Sequence, residues 1–187
     1  MPLTALDDNS ALVVIDLQKG VAALPAAHPM NEIVRRSAQL ARAFREKGLP
    51  VVLVNVTGRA PGRTDAGVPN INFPPDWADL LPELDQQPGD YIVSKQRWGA
   101  FLGTDLHHYL RGRSVTQIVL TGVATSIGVE STARSAWDLG YNVALVTDAM
   151  TDMSADAHRY CVEKIFPRLG ECVACGDVLN LLNPNDH

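Results

Sequence analysis

Short apolar runs rich in β-branched residues alternate with segments of helical periodicity, and this alternation constrains the fold more than any other feature of the sequence. The runs are Ala11–Ile15, Pro50–Val56, Tyr91–Val93, Gln117–Leu120, Asn142–Val146 and Glu171–Ala174. Strand–helix–strand repeats form right-handed βαβ units around a parallel sheet. The sequence therefore predicts an α/β fold, a three-layer α/β/α sandwich with a doubly wound, mostly parallel six-stranded sheet, as a single domain over residues 1–187.

The helical segments lie between these runs or follow the last one. Apolar residues recur at helical spacing from Asn31 to Lys47, and Gly48 ends that pattern. A second helix is predicted at Asp105–Leu110, with Thr104 as its cap. The remaining predicted helices are Ile127–Leu139, Ser154–Ile165 and Asp177–Leu182.

Charge and hydropathy exclude several classes of partner. The net charge of −5 and the lack of a basic run argue against nucleic acid. No apolar run approaches the ~20 residues that span a bilayer, so no membrane partner is expected. The first residues are acidic ahead of the apolar run, the reverse of an export signal, which predicts a cytoplasmic protein.

The cysteines favour reduced thiols over a redox or zinc site. Cys161, Cys172 and Cys175 form an odd set without an export signal. On a strand, an offset of three would place the side chains of Cys172 and Cys175 on opposite faces, which suits neither a disulfide nor shared metal ligation.

A proline-rich segment interrupts the alternation between Thr57 and Gly89. It holds six of the twelve prolines, namely Pro61, Pro69, Pro74, Pro75, Pro82 and Pro88. Because it follows the carboxyl end of a strand, where ligands bind in parallel sheets, it is interpreted as a lid rather than as a solvated excursion.

The residues that end the apolar runs are the first candidates for a site. Asp16 follows the first run, with Gln18 shortly after it, and Lys95 follows the third. A partly desolvated carboxylate needs a partner or a raised pKa, so an Asp16–Lys95 pair is expected at this edge of the sheet, either functional or structural. Asp148 follows the fifth run and is interpreted as a backbone-capping residue.

The segment TGVATSIGVESTARSA, residues 121–136, joins the fourth run to a helix. Such a strand-to-helix turn directs backbone N–H groups to one point, which suits an anion or a developing oxyanion. The turn centres on Gly128, where a nucleophile would be expected.

No metal site is predicted from the histidines. His107 and His108 are adjacent on a helix and point in different directions, and His158 is alone on another helix.

Three segments together resemble the isochorismatase-like (cysteine hydrolase) family. They are ALVVIDLQKG, SKQRWGAFLGTDL and LTGVATSIGVESTARSAWDLGYNVALVTDAM, in the family's order and spacing. The resemblance implies a hydrolase without an organic cofactor, with Asp16 and Lys95 at the family's Asp and Lys positions. Gly128 occupies the family's Cys position, as in a small subgroup that carries the IGVESTAR segment. The resemblance also implies a cis peptide at Val123–Ala124 and a homodimer or homotetramer.

The family's variants limit the chemistry that this chain can perform. Nicotinamidases carry an Asp-x-His metal motif after the second strand, whereas this chain has Asn55-Val56-Thr57, so their metal is not expected. Cysteine members form an acyl-enzyme, which Gly128 cannot do. Isochorismatase also has glycine at this position and cleaves a vinyl ether by protonation from the Asp.

Two readings of the resemblance remain open. In the first, the chain hydrolyses a small anionic substrate without covalent catalysis, with Asp16 as the acid or base and Lys95 as its electrostatic partner. In the second, it is a catalytically silent binding or assembly protein. Ser126 is disfavoured as a substitute nucleophile. The candidate substrate-binding residues are Gln18, Arg97, Trp98, Ala124 and Thr125.

Overall fold

A single parallel sheet organises the chain. The computed structural model describes residues 3–65, 67 and 73–183. Its strands are β1 (Ser10–Ile15), β2 (Val51–Val56), β3 (Tyr91–Lys95), β4 (Gln117–Val123), β5 (Asn142–Thr151) and β6 (Glu171–Val173). They pair in the order β3-β2-β1-β4-β5-β6, and every pair is parallel. The predicted fold class is confirmed, and the order reverses between β1 and β4, the point at which open α/β sheets bind ligands.

Helices cover both faces of the sheet. They are α1 (Lys19–Ala22), α2 (Met30–Glu46), α3 (Leu106–Gly112), α4 (Glu130–Asp138), α5 (Ala155–Tyr160) and α6 (Cys175–Leu182). Short π-helical segments, Thr125–Val129 and Cys161–Ile165, precede α4 and follow α5. The sequence did not predict α1, which is only four residues long.

The core has two halves, one on each face of the sheet. Alternate residues of β1 divide between them, so that Leu12 and Val14 pack with α2 and α6, whereas Val13 and Ile15 pack with α3 and α4. All six residues of β1 are buried, as its uninterrupted apolar run predicted. β1 therefore lies at the centre of the sandwich and carries its carboxyl end to the middle of the sheet edge.

Three strands extend past the ends of their apolar runs. β3 includes Lys95, which pairs with Val56, and β4 continues to Val123. β5 continues to Thr151 past an irregularity in its pairing with β4, so Asp148 lies within the strand and does not follow it. Its predicted capping role is confirmed, because its Oδ1 accepts the backbone N–H of Cys175, the first residue of α6, at 2.7 Å. Backbone ladder hydrogen bonds do not require apolar side chains, which is why the polar residues at this edge remain in the strands.

The second half of the proline-rich segment is fixed to the chain that follows β1. Lys19 forms ion pairs with Asp76 and Asp79 at 3.1 and 3.0 Å. A Cβ at Gly20 would lie 1.9 Å from the Trp77 indole, so this close approach requires glycine. Residues 66 and 68–72, including Pro69, lie outside the described residues. The lid interpretation stays a prediction.

Candidate active site

Asp16 stands at the carboxyl end of β1, at the reversal point of the sheet. Its φ is +52°, a left-handed conformation that aspartate tolerates better than most residues. Its backbone N–H donates to the Val54 carbonyl at 2.9 Å, so the turn remains attached to β2. The residue is only 6% exposed. The carboxyl group is therefore held at the sheet edge, largely out of water.

Lys95 reaches this carboxyl group from the end of β3. Its Nζ donates to Asp16 Oδ2 at 2.7 Å and to the Arg97 carbonyl oxygen at 3.2 Å. Lys95 is 2% exposed, although strand β2 lies between β3 and β1. The structure thus brings together the two charged residues that the sequence placed at the ends of separate strands.

Burial dominates the titration of Asp16. Loss of hydration raises the pKa of the carboxyl group from 3.8 to about 6, although the charge and hydrogen bond of Lys95 act to lower it. The second oxygen, Oδ1, is buried and has no hydrogen-bond partner among the described residues. Asp16 can therefore carry a proton near neutral pH, and one of its oxygens is not used by the fold.

The turn after β4 contains the cis peptide Val123–Ala124 that the resemblance implied. The Ala124 carbonyl oxygen accepts the N–H groups of Ile127 and Val129, both at 3.1 Å. Ala124 precedes the helical turn and Thr125 is its first residue. Both lie at the N-terminal end of the helical segment that leads into α4, which favours negative charge.

Gly128 faces the Asp16–Lys95 pair. A Cβ at this position would lie 3.3 Å from Asp16 Oδ2 and 2.9 Å from Ile15 Cγ2. A side chain here would thus start beside the carboxyl group, where the cysteine members have their thiol. It would also crowd the Ile15 methyl group, so the local packing is fitted to glycine.

The hydroxyl groups of the turn have partners on the other side of β4. Thr125 Oγ1 hydrogen-bonds His158 Nδ1 at 2.8 Å, and Ser126 Oγ donates to Asp152 Oδ2 at 2.7 Å. His158 is on α5 and Asp152 directly follows β5, which flanks β4 on the side away from β1. Neither hydroxyl is therefore held beside Asp16. Asp152 contacts the turn from the end of β5, and the sequence did not predict that contact.

The other candidate binding residues differ in how far the fold already occupies their polar groups. Gln18 is fully buried, and its amide group bonds the backbone N–H and carbonyl groups of Val56 and the carbonyl of Trp77. Its polar atoms are thus engaged by the fold. Arg97 is half-buried and donates to the Gln96 carbonyl, whereas Trp98 is 65% exposed. These two follow Lys95 directly and stay near the site without enclosing it.

The three cysteines lie outside this centre. All three thiols are free, and Cys172 and Cys175 pack on opposite faces of the sheet. Burial raises the pKa of the Cys161 and Cys175 thiols to about 12 and about 11. Across residues 3–65, 67 and 73–183, no group of three His, Cys, Asp or Glu side chains is arranged to hold a metal ion. Over those same ranges, none of the helices has the length and apolar character that crossing a bilayer requires.

Comparisons with known proteins show which family the chain is similar to. The family model for the isochorismatase domain matches residues 10–176. The isochorismatase family protein YecD of Escherichia coli O157:H7 is 41% identical over 183 residues, covering 93% of this chain and 96% of YecD. The ureidoacrylate amidohydrolase RutB of Variovorax paradoxus is 29% identical over 203 residues, covering 88% and 79% of the two chains.

A solved structure extends the similarity to three dimensions. An isochorismatase family protein from Burkholderia thailandensis superposes with a TM-score of 0.92 at 42% identity, covering 96% of this chain and 98% of that one. The family model and these relatives cover nearly all of the sequence that builds the sheet. The chain belongs to the isochorismatase family, a family of hydrolases.

Proposed function

We propose that this protein hydrolyses a vinyl ether of a small anionic molecule by acid catalysis from Asp16, without a covalent intermediate. One observation carries the proposal: a buried carboxyl group whose pKa is raised to about 6 lies beside Gly128, where no nucleophile exists. The site thus offers a proton donor without an attacking side chain. Such a donor is most effective when its pKa lies near the working pH.

The reaction needs only a proton and water. Asp16 gives its proton to the terminal vinyl carbon, and the oxygen-substituted carbon becomes an oxocarbenium ion. Water adds to that carbon and returns a proton to the carboxylate. The hemiketal then collapses to an alcohol and a ketone. Lys95, 2.7 Å away, stabilises the carboxylate formed in the first step.

The surroundings favour an anionic substrate. The N-terminal end of the helical segment that begins at Thr125 favours a substrate carboxylate. Arg97 and Trp98 follow Lys95 and can contact the rest of the molecule, the guanidinium by binding an anion and the indole by stacking on a planar group. Gln18 serves the site indirectly, by holding the chain after Asp16 against β2 and Trp77.

Amide hydrolysis, the activity named for RutB, fits this chain less well. An acyl-enzyme requires a nucleophile, and position 128 lacks one while Ser126 is bound to Asp152. A catalytically silent protein of the same fold is the second reading, since glycine at position 128 is also what an inactive site would carry.

We also propose that the chain acts as a homodimer or homotetramer. Trp98, Leu102 and Trp137 expose 65%, 70% and 55% of their surface, and all lie on α4 or on the segment that packs against it. A contiguous patch of exposed apolar side chains marks an association site, and we propose that these three side chains form one. Light scattering after gel filtration measures the state, and Leu102→Ser combined with Trp137→Ser is expected to weaken it.

The decisive experiment is turnover of isochorismate, followed by release of pyruvate. Wild-type protein is expected to be active and Asp16→Asn inactive, while Asp138→Asn, a substitution at an exposed residue of α4, retains activity. Lack of wild-type turnover with isochorismate and other vinyl ethers, combined with measurable binding by calorimetry, would instead support the silent reading.

A further inference from the structure

Asp152 holds the turn that contains Gly128, although it lies outside the three segments that carry the family resemblance. The residue directly follows β5 and is 3% exposed. Its Oδ2 accepts both the backbone N–H and the hydroxyl group of Ser126, each at 2.7 Å. Its Oδ1 accepts the N–H of Ser154 at 3.1 Å. One buried carboxylate therefore joins the turn after β4 to the beginning of α5.

The contacts of Asp152 constrain the backbone rather than a side chain alone. Ser126 lies between Thr125, whose hydroxyl group hydrogen-bonds His158, and Ile127, whose N–H donates to the Ala124 carbonyl. Because Asp152 accepts the Ser126 N–H, that N–H points toward the end of β5. The hydrogen bond thereby restricts the orientation of the peptide group between Thr125 and Ser126.

We infer that Asp152 is a positioning residue that sets the turn Ala124–Val129 relative to Asp16, acting through Ser126. The inference rests on the proposed function for its effect on catalysis, but the position of the turn is measurable without a substrate. A group that fixes reacting geometry at a distance is expected to affect kcat more than KM, since displacement by about 1 Å costs up to ~100-fold in rate.

The first test uses an introduced thiol as a probe of the turn. Gly128→Cys is combined with Cys172→Ser, because the half-buried Cys172 thiol could also react with the reagent. Cys161 and Cys175 can stay, because both are buried and their thiol pKa values are raised to about 12 and about 11. The rate of alkylation by iodoacetamide is followed from pH 5 to 10 to give the pKa of the new thiol. Any disturbance caused by Gly128→Cys is common to all variants compared.

Adding Asp152→Asn to this background is expected to raise the pKa of the probe thiol by about one pH unit, because a displaced turn no longer holds the thiol near the N-terminal end of the helical segment. Loss of the Asp152 charge alone would lower that pKa, so the two effects have opposite signs. Alkylation near neutral pH should slow about tenfold. Asp156→Asn is the matched control, since Asp156 is exposed on α5 and forms an exposed ion pair with Arg159. An unchanged thiol pKa in a folded Asp152→Asn protein would overturn the inference. If Asp152→Asn does not fold, Ser126→Ala replaces it as the test, because it removes the bond from the Ser126 hydroxyl to Asp152. Ser126→Ala should then shift the pKa of the probe thiol, and Ser126→Thr, which keeps the hydroxyl, should leave that pKa unchanged.

The second test is the kinetics on isochorismate. Asp152→Asn is expected to lower kcat about 100-fold with a smaller change in KM, and Asp156→Asn to leave both unchanged. The two arms separate the two proposals. If the wild type is inactive, the proposed function is wrong, and the pKa of the probe thiol alone tests the role of Asp152. An active wild type with an unshifted thiol and unchanged kcat in Asp152→Asn defeats the role of Asp152 alone.

Discussion

Asp16 Oδ2 lies 2.7 Å from Lys95 Nζ, although the residues are 79 positions apart and strand β2 separates their strands. An ion pair of this length usually keeps a carboxyl group ionised. Here burial outweighs the cation and raises the pKa of Asp16 to about 6. The pair thus makes an acid that can give up its proton near neutral pH and whose conjugate base has a partner in place.

The pH dependence of the reaction follows from this pair. If Asp16 acts as the acid, kcat/KM is constant below pH 6 and falls about tenfold for each pH unit above it, because only the protonated form is active. Initial rates with isochorismate from pH 4.5 to 8.5 measure the profile. Activity that instead rises through pH 6 would assign Asp16 the role of a base.

Replacing Lys95 should shift that profile. Lys95→Met removes the cation and the hydrogen bond that lower the pKa of Asp16, so the alkaline limb is expected to move up by at least about one pH unit. Lys95→Arg retains the charge and serves as the control. A limb that stays near pH 6 in Lys95→Met would show that the titrating group is not Asp16.

The same carboxyl group should make stability depend on pH. Its folded pKa of about 6 exceeds the ordinary 3.8, so the folded state retains a proton that the unfolded chain releases. Stability from this group is therefore lost as pH rises from about 4 to 6, by about 3 kcal/mol. The free energy of unfolding is measured with urea for wild type and for Asp16→Asn, whose side chain does not titrate. Between pH 4 and 7 the value for Asp16→Asn should rise relative to wild type by about that amount. Parallel curves for the two proteins would contradict the raised pKa.

The sequence predicted the parts of the site that depend on strand ends. Apolar runs located β1 and β3, and parallel pairing then required Asp16 and Lys95 to meet at one edge. Asp152 was missed because its significance depends on β5 continuing past Asp148, and ladder pairing there does not follow from side-chain polarity. The backbone bonds of Gln18 could not be predicted, because a polar residue near a strand end gives no sign of which backbone groups will bond its amide.

Gly128 should tolerate a methyl group poorly. The Cβ of Gly128→Ala would lie 2.9 Å from Ile15 Cγ2, so we expect a loss of about 1–3 kcal/mol from overpacking. Gly176→Ala is the matched control, because nothing lies within 4 Å of its Cβ position and alanine favours helix α6. Ile15→Ala combined with Gly128→Ala should recover part of the loss. Additive effects in this cycle would show that Ile15 does not restrict position 128.

Substitution of Gln18 can show whether this residue stabilises the fold or binds the substrate. Gln18→Leu leaves one N–H and two carbonyl groups of Val56 and Trp77 without their partner, and each such buried group costs about 1–3 kcal/mol. Water can reach these half-buried residues, so we expect a total loss of about 2 kcal/mol, which lowers Tm by about 4–8 °C in a chain of this size. The control is Gln39→Leu, since Gln39 is exposed on α2 and its side chain accepts a hydrogen bond from Arg35. Unchanged stability with a raised KM would return Gln18 to the substrate-binding role that the sequence predicted, whereas a lowered Tm with an unchanged KM would establish that it holds the chain after Asp16 in place.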